Sequence, residues 1–107
     1  MDKLTIDTRI GDNIKSFRKL NKMSQIELAK LCGISNVTMC NIEKGSTRPK
    51  TSTLEKICDV IEVPIPLLYL GALNGNDFKN DHIRTKFRVL LPIISSIFSQ
   101  LTKYNMG

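Results

Sequence analysis

Tryptophan is absent from this 107-residue chain, and two tyrosines and four phenylalanines are its only aromatic side chains. The core must therefore be built mainly from Leu, Ile, Val and Met. There is a single histidine, His82, and the three cysteines, Cys32, Cys40 and Cys58, lack the CxxC spacing of a metal site. No glycine-rich phosphate loop, nucleophile context or matched pair of carboxylates occurs, so neither catalysis nor any cofactor or metal is expected. The most apolar run, Val89 to Phe98, is about ten residues long and holds two serines, whereas a membrane span needs ~20. No secretory segment follows the first Met, which predicts a cytoplasmic protein whose thiols stay reduced.

What the chain has is positive charge. Its formal net charge is +6 and its pI is near 9.4, which suits an anionic partner. The excess is spread out. Residues 1–70 hold eleven Lys/Arg against eight Asp/Glu, and residues 71–107 hold five against two. Charge therefore agrees with nucleic-acid binding without establishing it.

Residues Ser24 to Glu43 carry the strongest pattern, two short amphipathic helices around a Gly-Ile-Ser turn. Leu28, Ala29 and Cys32 mark the apolar side of the first, and Val37, Met39 and Ile42 that of the second. Ser24 and Glu27 have capping-box spacing, Gly33 suits a left-handed helix stop, and Ser35 can cap the second helix. Neither helix is long enough to stand alone, so each must pack on the other and on a third. Two capped helices hinged on glycine describe a helix-turn-helix, whose second helix can enter the DNA major groove.

The spacing of Gln25, Leu28, Ala29, Gly33, Ile34, Ser35, Met39, Glu43, Gly45 and Pro49 resembles that of the phage repressor and Cro-type helix-turn-helix family, the xenobiotic-response-element-like transcriptional regulators. The match begins at Ile10, Gly11, Ile14 and Arg18 and continues through Leu54, Ile57, Cys58, Ile61, Val63 and Leu67. It covers about residues 8 to 70. The resemblance implies an all-α fold with a five-helix repressor-like domain over 1–70; turn-rich composition then suggests a linker over 71–80, and the apolar pattern a helical oligomerisation segment over 81–107.

Local signals place the other elements. Asp7 or Thr8 can cap the first helix, whose stripe is Ile10, Ile14 and Phe17. The family usually has glycine near Lys22, so strain is expected at that turn. Ser52 and Glu55 suggest a capping box for the fourth helix, and Pro64 and Pro66 fit the first turn of the fifth. In the tail, Ile83, Phe87, Leu90, Ile94, Ile97 and Leu101 alternate in steps of four and three, a heptad seam widened by Leu91 and Phe98. Burying each such side chain contributes roughly 1.5–3 kcal/mol. Three readings compete: the tail covers its own domain, lies on a membrane surface through Lys79, Arg84, Lys86 and Arg88, or self-associates. Self-association accounts best for the heptad spacing. Pro92 lies off the seam, and either kinks one helix or separates two.

Double-stranded DNA is the expected partner, with a homodimer on a two-fold symmetric operator. Asn36, Val37, Thr38 and Asn41 are the expected base readers, because a carboxamide matches the adenine edge and methyl groups match thymine. Lys44, Thr47, Arg48 and Lys50 follow the second motif helix and are expected to meet phosphates. The resemblance assigns Gln25 to a phosphate as well. It also pairs Arg18 with Glu43, which would fix the tilt of the reading helix and aim the arginine at phosphate. The alternative is an antitoxin-like interaction module, autoregulating through DNA, whose tail binds another protein.

Overall fold

A computed structural model describes residues 5–105. Its helices are α1 (Ile6–Leu20), α2 (Gln25–Cys32), α3 (Asn36–Lys44), α4 (Thr51–Ile61), α5 (Ile65–Leu70) and α6 (Asp81–Asn105), with a short 3-10 turn at Gly75–Phe78. The fold is all-α; no strand occurs among the described residues. The chain divides into two compact units, Met1–Leu73 and Asn74–Gly107.

The first unit is a layer of short helices around one aliphatic core. Ile10 and Ile14 from α1, Leu28, Ala29 and Cys32 from α2, and Met39 and Ile42 from α3 meet Leu54, Ile57, Cys58 and Ile61 from α4. Val63, Leu68 and Ala72 close it. No single helix here buries enough to be stable alone, so the unit forms as a whole.

Two helix caps differ from the local expectation. α1 begins two or three residues earlier, with Thr5 as its cap; the Thr5 hydroxyl accepts from the Thr8 amide at 3.2 Å. Asp7 then falls in the first turn, where a carboxylate favours the helix dipole. Leu4 and Ile6, between polar neighbours, suit either a frayed arm or a small packed extension; Ile6 opens α1, and Leu4 lies outside the described residues. α4 begins after Lys50 with no side-chain cap, and Ser52 is already inside the helix. Several hydroxyls compete there, and the register that buries Leu54, Ile57, Cys58 and Ile61 takes precedence.

Lys22 has φ +58°, the left-handed geometry for which glycine is the usual choice. Pro64 precedes α5 and Pro66 sits in its first turn, as their missing amides require. Of α5's leucines, Leu68 alone is fully buried, and Leu67 and Leu70 remain exposed.

Where composition suggests a linker, Ala72 is buried and its carbonyl accepts from Arg9 Nη1 at 2.8 Å. Asn74 then caps the 3-10 turn, accepting from the Asn76 amide at 2.9 Å, while Asp77 accepts from the Asn74 amide at 2.8 Å. α6 runs through Pro92 as one helix of 25 residues. No helix among the described residues is long and apolar enough to cross a membrane.

Candidate nucleic-acid interface

The path from Ser24 to Gly45 is set by three caps. Ser24 Oγ accepts from the Glu27 amide at 3.0 Å, and Glu27 Oε1 accepts from the Ser24 amide at 2.8 Å, so the capping box is complete. These bonds hold the Glu27 carboxyl below its ordinary range. Gly33 ends α2 at φ +71°, where any other residue would be strained. Ser35 then caps α3, accepting from the Thr38 amide at 3.0 Å and donating to the Thr38 hydroxyl at 2.8 Å.

α3 is held down along one side. Met39 and Ile42 are buried in the core, and Glu43 is 4% exposed. Arg18, 7% exposed, meets Glu43 in a two-pronged pair: Nε donates to Oε2 at 2.8 Å and Nη2 to Oε1 at 3.1 Å. The third guanidinium nitrogen, Nη1, donates to the Met23 carbonyl at 2.8 Å. Every nitrogen of Arg18 thus points inward to protein oxygen. Gln25 Nε2 also donates to Glu43 Oε1, at 3.0 Å. The glutamine read as a phosphate anchor is therefore tied by its amide to the same carboxylate.

Backbone contact reinforces this clamp. A β-carbon on Gly11 would lie 2.5 Å from the carbonyl oxygens of both Ile42 and Glu43. Only a glycine lets α1 lie this close to α3. Gly11 figured in the sequence pattern without its reason, which is tertiary.

The opposite side of α3 is open. Asn36 is exposed, Val37 is 69% exposed, and Thr38 and Asn41 are half-buried at its flanks. Val37 fitted both the apolar pattern and the base-reading set; the fold gives it to the surface. Lys44, in the last turn of α3, and Thr47, Arg48 and Lys50 beyond its end are all exposed. Arg48 is engaged with Asp7, Nε to Oδ1 at 3.0 Å and Nη2 to Oδ2 at 3.3 Å, which raises its pKa further. Asp12, Lys15, Gln25, Cys40, Glu43 and Lys44 line a shallow cleft between α1, α2 and α3. Lys15 is thus a cation beside the motif that the sequence reading left out, since only the packing of α1 brings it there. Cys40 is half-buried in this cleft, while burial pushes the Cys32 and Cys58 thiols up.

A compact unit in which α2 supports an outward α3 across a left-handed glycine is a helix-turn-helix. The helix-turn-helix family profile matches residues 14–68, about half of the chain. The chain belongs to that family of transcriptional regulators and is related to phage immunity repressors. It is 37% identical over 95 residues to the antitoxin PezA of Streptococcus pneumoniae, a match covering 89% of this chain and 60% of the antitoxin. It is 30% identical over 56 residues to the immunity repressor protein of Bacillus phage phi105, covering 52% of this chain and 39% of the repressor. The chain thus spans less than two thirds of either relative. In fold it is similar to the clp gene regulator ClgR of Corynebacterium glutamicum, with a TM-score of 0.63, 13% identity and 97% of each chain covered.

Proposed function

We propose that this chain is a sequence-specific regulator that binds double-stranded DNA as a homodimer, in the manner of the phage repressor and Cro-type, xenobiotic-response-element-like proteins. One observation carries the reading: α3 buries Met39, Ile42 and Glu43 and turns Asn36, Val37, Thr38 and Asn41 the other way. Polar and methyl groups on the open face of a clamped helix are what a major groove can accept.

In this reading Asn36 and Asn41 meet adenine edges, and Val37 and the Thr38 methyl meet thymine methyls. Lys44, Thr47, Lys50 and Lys15 contact phosphates on either side of the groove. Arg48 joins them by exchanging Asp7 for a phosphate, since an exposed ion pair costs little to break. Gln25 keeps its amide on Glu43 and offers the α2 N-terminus to the backbone. Residues 1–70 form the DNA-binding part, 71–80 the link and 81–107 the segment that joins two copies. Repression is supported by the likeness to an immunity repressor.

Selection of bound fragments from random duplex DNA tests the reading. The expected result is a two-fold symmetric consensus with half-sites about 10 base pairs apart, bound less tightly as salt rises. Failure to enrich any sequence at low salt overturns it.

The likeness to an antitoxin extends through most of the chain and supports a second reading. There α6 binds another protein, and DNA binding serves autoregulation. Light scattering on the full chain separates the two. A dimer that becomes monomeric without residues 81–107 supports self-association; a monomer supports an external partner for α6.

A further inference from the structure

Along α6, Ile83, Leu90, Ile97 and Leu101 are 46%, 49%, 50% and 50% exposed, and Leu91 and Phe98 beside them are 45% and 61% exposed. Phe87 is the seam residue with an aromatic neighbour, the ring of Phe78 meeting it edge-on at 4.8 Å. So long an apolar face needs an occupant.

We infer that the occupant is α6 of a second copy of this chain, lying antiparallel and centred on Pro92; this rests on the homodimeric reading above. Two features decide the direction. The first is charge. Arg84, Lys86 and Arg88 stand against Asp81 alone at the start of α6, whereas Lys103 is the only charged side chain over residues 93–105. Parallel pairing gathers both sets of cations at the positive ends of two helix dipoles. Antiparallel pairing sets each beside the partner's nearly uncharged half and its negative dipole end.

The second feature is the seam itself, which is arranged symmetrically about position 92 and so fills every layer when one copy is reversed. Ile83 meets the partner's Leu101, Phe87 meets the partner's Ile97, and Leu90 meets the partner's Ile94. Pro92 is exposed and lies at the back of the helix, away from the seam. The Arg88 carbonyl that Pro92 deprives of a helical bond is left to water there.

Disulfide trapping in the full chain tests the direction, with Cys40→Ser removing the accessible native thiol. Chains carrying Ile83→Cys or Leu101→Cys are purified separately and also co-expressed, with one of them extended by a tag. The expected result is a cross-linked dimer in the co-expressed pair only, as the tagged–untagged species. Cross-linked dimers from either variant alone overturn the inference in favour of parallel pairing. A dimer by light scattering that yields no cross-link overturns it as well, by placing the interface elsewhere. A monomer removes the homodimeric reading itself and leaves α6 for a different protein. Spin labels on Thr102→Cys, off the seam, give a second readout if the seam variants misfold. They should lie about 30 Å apart or more, at ~1.5 Å of axial rise per residue, and a short distance overturns the inference.

Discussion

Gly11 lies directly against Glu43: a β-carbon at Gly11 would sit 2.5 Å from the Glu43 carbonyl oxygen and 2.8 Å from its carbonyl carbon. Both sides of this contact are backbone, so nothing flexible can give way. Gly11→Ala must push α1 and α3 apart. Overpacking of this kind costs roughly 1–3 kcal/mol, and the displaced element is the one that presents the proposed base-reading face. The expected outcome is a lower melting temperature together with weaker operator binding under conditions where the variant is still folded. A variant that melts and binds like its parent would mean that the two helices are not in this contact.

Removing Arg18 should be more damaging than losing an ordinary surface ion pair. Arg18→Ala leaves Glu43 buried with Gln25 as its remaining side-chain partner, and breaking a buried pair costs about 3–5 kcal/mol. Replacing both charges, Arg18→Met with Glu43→Leu, removes the stranded carboxylate and should restore much of the stability. It should not restore operator affinity, because the fork that sets the tilt of α3 is gone. Chemical denaturation alongside binding titrations checks this. Affinity recovering in step with stability would make the pair a matter of packing alone.

Base reading and phosphate binding should separate by mutation. Asn41→Ala is expected to lose about 1–3 kcal/mol on the best operator and to relax preference at one base pair. Lys44→Ala should weaken all sequences alike and lower the salt dependence by about one counterion. Binding to operator variants over a salt series reads both. Identical effects on every sequence would abolish the division of labour.

Stability should fall at both ends of the pH range for named reasons. Burial raises the Cys32 and Cys58 thiols above their ordinary 9.0, reinforced at Cys58 by Asp59 and partly offset at Cys32 by Lys56. The fold thus holds the neutral thiols, and that contribution is complete below pH 9.0 and lost as pH rises through the raised values. Glu27 is the reverse case: lowered from 4.5 by its bonds to Ser24, it stabilises above that value and ceases to as pH falls through the lowered one. Glu27→Gln, which removes the titrating carboxyl and keeps an acceptor for the Ser24 amide, should flatten the acid limb of a melting-temperature profile and leave the alkaline limb in place. In native protein, alkylation should reach half-buried Cys40 well before Cys32 or Cys58; equal rates would contradict the buried placement.

Much of this was legible because the forces are local. The capping box at Ser24 and Glu27, the left-handed Gly33 and the Ser35 cap each involve groups a few residues apart, and all three form. The caps of α1 and α4 were less so, since several hydroxyls within one turn could cap either helix. The choice of Thr5 and Lys50 follows from which register buries the stripe. Gln25 illustrates the limit most clearly. Its position agrees with a phosphate anchor by resemblance, yet its amide is committed to Glu43, a partner 18 residues away.

The order of residues alone determined which segments are helical, how α2 and α3 are capped and which stripes are apolar, because hydrogen bonding and burial periodicity act within a turn or two. Only the assembled fold decided that Arg18 is turned wholly inward, that Gly11 admits α3 so closely, that Lys15 flanks the motif and that Arg48 is held by Asp7. Those relations join groups far apart in the chain, and they exist only once the shared aliphatic core has drawn the helices together.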